Sequence, residues 1–224
     1  MKNKFSKILY IFVLISFILP IIFILFKLIS GAEAESQMGM HSSSDYTLMV
    51  VECVLGLFVI HIPSLLAKKF KFEIPVFLYV LYIIFLYCSI TLGEVQSFYY
   101  LVPHWDVFLH AFSGVMTGFF GFMVISILNK DEHITINLSP VFMAVFAFSF
   151  AVAIGAVWEI YEFTIDSIMG LNMQKYILMD GTVLVGHDAL IDTMKDIIVD
   201  VLGALIASIT GYIAIRIKSD KKIK

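Results

Sequence analysis

The residues of this chain best suited to chemistry are acids set at helical intervals together with one histidine. Asp106, His110 and Ser113 are spaced i, i+4, i+7 and therefore share one helix face. Glu159, Glu162 and Asp166 repeat at i, i+3, i+7. Asp188, Asp192, Asp196 and Asp200 recur every fourth residue, a ladder that drifts only about 40° per step on a 3.6-residue helix. Like charges gathered in apolar surroundings need a proton or a cation among them. A carboxylate-rich set with one imidazole suits a divalent ion such as Mg2+, Mn2+, Ca2+ or Zn2+; zinc fits least, because only His110 and His187 supply nitrogen. The expected metal ligands are Glu159, Glu162, Asp196 and Asp200. Asp106 and His110 are the expected orienter and general base, supported by Ser113, Asp166, His187, Asp188 and Asp192.

Two plainer readings compete. One is a carboxylate network that shares protons without a metal. The other is a hydrated face in which the acids cap helix N-termini, where the dipole favours negative charge. Capping suits Asp106, Asp188 and Asp192, each near the start of an apolar run. It does not suit Glu159, Glu162 and Asp166, which sit at a helix C-terminus with no base nearer in sequence than Lys175. Nor does it suit Asp200, because the run from Val201 to Ile217 barely spans a bilayer unless Asp196 and Asp200 enter it. An ionisable residue at that depth marks a functional site by default.

The elements that must position these residues are membrane helices. The chain is 60% hydrophobic against a usual ~45–50% for soluble domains, and the apolar residues gather in runs of bilayer-crossing length. A soluble enzyme and a nucleic-acid binder are excluded. Six spans are expected: Ile8–Ile29, Tyr46–Ala67, Ile74–Leu92, Val107–Leu128, Pro140–Phe163 and Ile191–Ile217. The first carries Lys2, Lys4 and Lys7 before it and Ala32-Glu33-Ala34 after it, like a signal peptide. Its apolar stretch exceeds the ~7–15 residues of a signal core, so it is read as a retained span, kinked at Pro20. Twelve of the fifteen positive residues fall on one side, leaving Lys27, Lys175 and Lys195 for the other, which orients both termini to the cytoplasm. Cys53 and Cys88 lie in apolar runs and suggest neither a disulfide nor a thiolate site.

The fold class expected is thus an all-α polytopic membrane protein, one integral domain over residues 1–224. Residues 1–100 supply the first three spans, and residues 101–217 supply three more that carry the polar site. Asp180-Gly181 between two apolar tetrapeptides predicts a small β-hairpin, with a two-residue turn, on the outer side between the fifth and sixth helices. Small residues such as Gly114, Gly118, Gly121, Gly155 and Gly203 predict close contact among the later helices. His61 and Pro63 read as a packing or kink feature.

Between Trp105 and Ala207 the pattern Trp-Asp-x-x-x-His-x-x-Ser-Gly, then Trp158-Glu159-x-x-Glu162-Phe163-x-x-Asp166, then Asp192-Thr193-Met194-x-Asp196-x-x-x-Asp200-x-x-Gly203-Ala204 resembles the YjdF-like family of bacterial multi-pass membrane proteins, and more distantly the VanZ-like group. Val185-Gly186-His187-Asp188 stands where that family tends to have Gln-Gly-Asp. The resemblance implies a bacterial plasma membrane and treats the acids as a unit; it names no substrate. The expected function is a cation-dependent outer site acting on a lipid or cell-envelope precursor. The alternatives are an ion- or proton-coupled transporter and a non-catalytic partner of another membrane protein. After Asp200 the sixth helix offers only Ser208 and Thr210, which favours a dead-end site over a path.

Overall fold

The computed structural model describes residues 4–29, 43–129 and 138–223. Ala32-Glu33-Ala34, Lys2 and the residues Lys130, Asp131 and Glu132 lie outside the described residues. Those described form helices α1 (Lys4–Ile29), α2 (Ser43–Val59), α3 (Ile62–Lys69), α4 (Val76–Leu86), α5 (Phe98–Leu101), α6 (Trp105–Leu128), α7 (Pro140–Met169) and α8 (His187–Ile223), with a π-helical segment over Tyr87–Val95 that continues α4. Six stretches are long and apolar enough to cross a membrane: Lys4–Lys27, Tyr46–Lys69, Val76–Val95, Trp105–Leu128, Pro140–Met169 and His187–Lys218. This is a multi-pass membrane protein. The last two stretches, 30 and 32 residues, exceed the ~20 that a bilayer core requires. Their acid-bearing ends are therefore helical rather than loop.

The second span is interrupted where Pro63 denies Val59 its helical N–H donor. The Tyr82 hydroxyl takes that place, donating to the Val59 carbonyl at 2.6 Å. In a bilayer each backbone polar group needs such a partner, so a proline break is tolerated where a neighbouring helix supplies one. The nearby His61 ring nitrogen lies 3.3 Å from the Tyr10 hydroxyl, a packing contact as expected.

The chain divides into two compact units, one of residues 1–106 with 160–193 and the other of residues 107–159 with 194–224. In the first, Val13 and Phe17 of α1, Cys53 and Ile60 of the second span, and Ile83 and Ile90 of the third form the core. Gly56 permits this contact, since a Cβ there would lie 2.7 Å from the Ile90 side chain. Cys53 and Cys88 are free thiols.

From residues 170–186 of this unit, Leu171 and Met173 pack with Leu48 in a small buried cluster. The expected β-hairpin is absent: among the described residues there is no strand, only an isolated antiparallel bridge between Ile177 and Val183. Backbone conformation explains the difference. Lys175, Gly181 and Gly186 all have positive φ (52°, 83° and 61°), so no extended run between them is long enough for a ladder. The turn is also one residue longer than expected. Gly181 N–H bonds the Leu178 carbonyl and Leu178 N–H bonds the Thr182 carbonyl, enclosing three residues with Gly181 in the left-handed position. The outer edge of Ile177 is bound by Asn172, whose side chain accepts the Ile177 N–H and donates to its carbonyl, both at 2.9 Å.

Lys175 anchors this loop. Its ammonium donates to Glu94 Oε2 at 2.8 Å, with Glu94 buried and Lys175 half-buried, and lies 4.8 Å above the Tyr99 ring and 5.4 Å from that of Tyr100. Burial alone would push the ammonium down. The carboxylates of Glu94 and Glu52 outweigh it and hold Lys175 above the usual lysine range. The stabilisation is thus complete below the ordinary lysine pKa and is lost only as pH rises through the higher folded value.

Removing one member of a buried pair leaves the other charge uncompensated. Lys175→Met should therefore lower unfolding stability by about 3–5 kcal/mol and expose residues 176–186 to protease, while Glu94→Gln added to it recovers part of the loss. Denaturant unfolding of the purified protein reads both effects. A single variant as stable as the parent would remove Lys175 as the anchor.

Candidate functional site

In the second unit α6, α7 and α8 approach closely wherever glycine or alanine replaces bulk. A Cβ on Gly118 would fall 2.5 Å from that of Ala207, one on Gly121 would fall 2.8 Å from the Ala147 backbone, and one on Gly203 would fall 2.8 Å from the Ala111 carbonyl. Between membrane helices, where lipid is as apolar as leucine, such close approach and interhelical hydrogen bonds drive association. Ser208 supplies one bond, donating to the Ala144 carbonyl at 2.8 Å.

Two further glycines surround Asp200. A Cβ at Gly114 would collide with the Asp200 backbone carbonyl, and one at Gly155 would lie 2.5 Å from its Oδ2. Asp200 is thereby set between α6 and α7 with only 2% of its surface exposed. Its carboxylate is bound from α6 on both oxygens. His110 Nδ1 lies 3.2 Å from Oδ2, and Ser113 Oγ donates to Oδ1 at 2.9 Å. The other imidazole nitrogen, Nε2, faces Glu159 Oε1 at 3.8 Å, beyond hydrogen-bond length. One potential ligand atom of Asp196 lies within 4.8 Å of one on His110.

His110, Glu159, Asp196 and Asp200 are all at least nine-tenths buried. The positive residues described in this unit, Lys195, Arg216 and Lys218, are exposed. Three carboxylates and an imidazole thus share a volume without a buried lysine or arginine among the described residues. The chemistry open to such a set is proton exchange or cation binding. With Nδ1–H directed at Asp200, Nε2 is left as base or ligand, the tautomer logic of a carboxylate–histidine pair.

The sequence-predicted residues thus separate. The structure gathers His110, Ser113, Glu159, Asp196 and Asp200 from all three helices. Asp200 is bonded to His110 Nδ1, which gives it an orienting part. Asp106 lies in the first turn of α6, one turn before His110. Asp188 lies in the first turn of α8 and is exposed, as is His187; the capping explanation suits Asp188. Asp192 and Glu162 are half-buried. Asp166 requires a correction, because its place at a helix C-terminus does have a structural explanation. Its carboxylate accepts the N–H groups of Met173 at 2.7 Å and Gln174 at 3.0 Å, fastening the chain that leaves α7.

Sequence reasoning missed the Glu94–Lys175 pair and the glycine pocket around Asp200. The pair had one signal, a lone lysine in the loop following so many acids. The glycine pocket had only the small-residue pattern, which does not say which glycine meets which aspartate.

Gly155→Ala should push aside the Asp200 carboxylate, a movable group, and shift the His110 ring 15N resonances while the protein stays folded. Gly114→Ala meets backbone and should cost more, toward the upper end of the about 1–3 kcal/mol typical of overpacking. Thermal unfolding and NMR of the two variants check this. Equal stability losses would show that the α6–α8 approach is not the tighter constraint.

The model of a family described as predicted membrane protein (DUF2238) matches residues 15–216. The match takes in the second and third spans and the later part of the first, which the resemblance over Trp105–Ala207 left unassigned. The more distant VanZ-like likeness has no support in it. Among curated proteins and among solved structures, nothing matches the chain. With six membrane-length helices and a family match over most of its length, the chain belongs to the DUF2238 family of membrane proteins.

Proposed function

We propose that the His110 centre binds a divalent cation on the outer side of a bacterial plasma membrane and acts there on a lipid or cell-envelope precursor. The observation that carries this reading is the pair of carboxylates facing the two nitrogens of one buried imidazole, with Asp196 close by and no buried lysine or arginine described in the unit. The donor set suits the group. Carboxylate oxygens with one nitrogen accommodate Mg2+, Mn2+ or Ca2+, and Zn2+ less well. Glu159 and Asp196 would hold the ion, with Asp200 as orienter or further ligand.

A bound ion would polarise an ester or phosphoryl oxygen or acidify a water. The remaining work falls to the chain. Asp200, fixed by Ser113 and enclosed by Gly114 and Gly155, orients the imidazole. His110 moves a proton at Nε2. Asp106 and Glu162 extend the same two helix faces outward by one turn each.

The interior below the centre supports a dead-end site over a transport path. The Ser208 hydroxyl is spent on the Ala144 carbonyl, and Gly118, Ala207, Gly121 and Ala147 leave no width for a polar channel there. Positive-inside asymmetry supports cytoplasmic termini and an outward-facing 170–186 loop, with residues 1–224 acting as one membrane domain.

Elemental analysis of the purified protein after dialysis against Mg2+, Mn2+, Ca2+ and Zn2+ should find near-stoichiometric metal, lost in Glu159→Gln/Asp196→Asn. Metal absent from both proteins would defeat the cation reading and leave a protonated network. Orientation is tested separately. Val185→Cys, exposed and free of the positive φ of Gly181, should react with an impermeant thiol reagent on intact cells; reaction only after permeabilisation would reverse the topology.

A further inference from the structure

The first unit contains a cleft of about 440 Å3 among α1, α2 and the π-helical segment, a volume within the range of small-ligand sites. One face of α1 forms its long wall. Ser16, Leu19, Pro20, Phe23 and Ile24 line it at i, i+3, i+4, i+7 and i+8, and Lys27 continues that face by one more turn. Leu19 and Phe23 stand open at the rim, 59% and 61% exposed, whereas Ile24 is buried at the floor. The hydroxyls on the wall are engaged with each other: Ser16 Oγ lies 2.8 Å from Thr91 Oγ1 and donates to the Val13 carbonyl. Most of the cleft is therefore hydrocarbon in character.

One end is different. The Lys27 ammonium donates to the Tyr46 hydroxyl at 3.1 Å and lies 4.7 Å over its ring. Tyr46 and the exposed Gln96 are both lining residues. Lys27 ends the first span, Tyr46 begins the second and Gln96 follows the third. An ammonium and a phenol thus meet at one end of an apolar cleft that Gln96 also lines, beside the ends of three membrane-length stretches.

We infer that this cleft binds an anionic phospholipid, with one acyl chain along the Ser16–Ile24 wall and the phosphate at Lys27 and Tyr46. Charge selects the occupant. A neutral chain would satisfy the wall alone, but a single cation fixed at the mouth favours a headgroup with net negative charge. This site is independent of the His110 centre, and its test involves no residue of that centre.

The test is native mass spectrometry of the full-length protein, titrated with phosphatidylglycerol and with phosphatidylcholine of the same acyl chains. The parent protein should retain phosphatidylglycerol about fivefold better, the preference expected of one lysine near a lipid surface. Lys27→Gln should bring the two lipids level, and Leu19→Trp, which fills the cleft, should weaken both alike. Equal retention of the two lipids by the parent protein overturns the proposal, and so does a preference that survives Lys27→Gln. Competition by glycerol phosphate lacking acyl chains, at concentrations matching the lipid, would reduce the site to an anion contact and also overturn it. So would a dimer dispersed by Leu19→Trp with lipid retention unchanged, since a second copy would then be the occupant. The comparison of lipids on the parent protein needs no variant to fold.

Discussion

The closeness with which α6, α7 and α8 pack around Asp200 sets the terms for everything chemical in the second unit. Within a membrane there is little hydrophobic gain in bringing two helices together, so contact depends on backbones that can approach. Gly114 lets the Asp200 carbonyl come against α6, and Gly155 leaves room for its carboxylate beside α7. That approach puts the carboxylate within reach of His110 and Ser113 on the facing helix. A carboxylate at this depth needs such partners, because an isolated charge in a low-dielectric medium is far costlier than one that is hydrogen-bonded. Packing and electrostatics are one constraint here: the helices cannot close without glycine, and Asp200 cannot be buried without closure.

The first unit meets a similar problem differently. Its buried acids, Glu52 and Glu94, come with a lysine brought from a distant loop, and the pairing places Lys175 in a left-handed conformation that costs a non-glycine residue of order 1–3 kcal/mol. The ion pair and the two tyrosine rings offset that strain. Asp166 and Asn172 take up the backbone groups that a loop without a sheet would leave bare, Asp166 on two N–H groups and Asn172 on both groups of Ile177. These acids are therefore of two kinds. Asp166 and Glu94 build the loop's attachment, while Glu159, Asp196 and Asp200 surround an imidazole.

Much of this was legible in the residues. Runs of bilayer length with charged borders identify six spans because a membrane helix must satisfy its own backbone and bury no charge without a reason. Spacings of three and four placed Asp106, His110 and Ser113 on one face and the aspartate ladder on another, since a single helix fixes those relations locally. Asp180-Gly181 pointed rightly to a turn. It pointed wrongly to a hairpin, because strand pairing depends on the conformations of Lys175 and Gly186 as well as on the two central residues.

What the chain alone determined was thus whatever depends on one element at a time: the spans and the faces on which acids recur. The tertiary structure decided which of those acids meet. Asp200 binds His110 Nδ1, Lys175 crosses to Glu94 instead of offsetting the acids of the preceding helix, and Asp166 turns to backbone N–H groups. Each outcome rests on distances between segments far apart in sequence. Those distances follow from where glycine allows two backbones to touch, and local periodicity does not encode them.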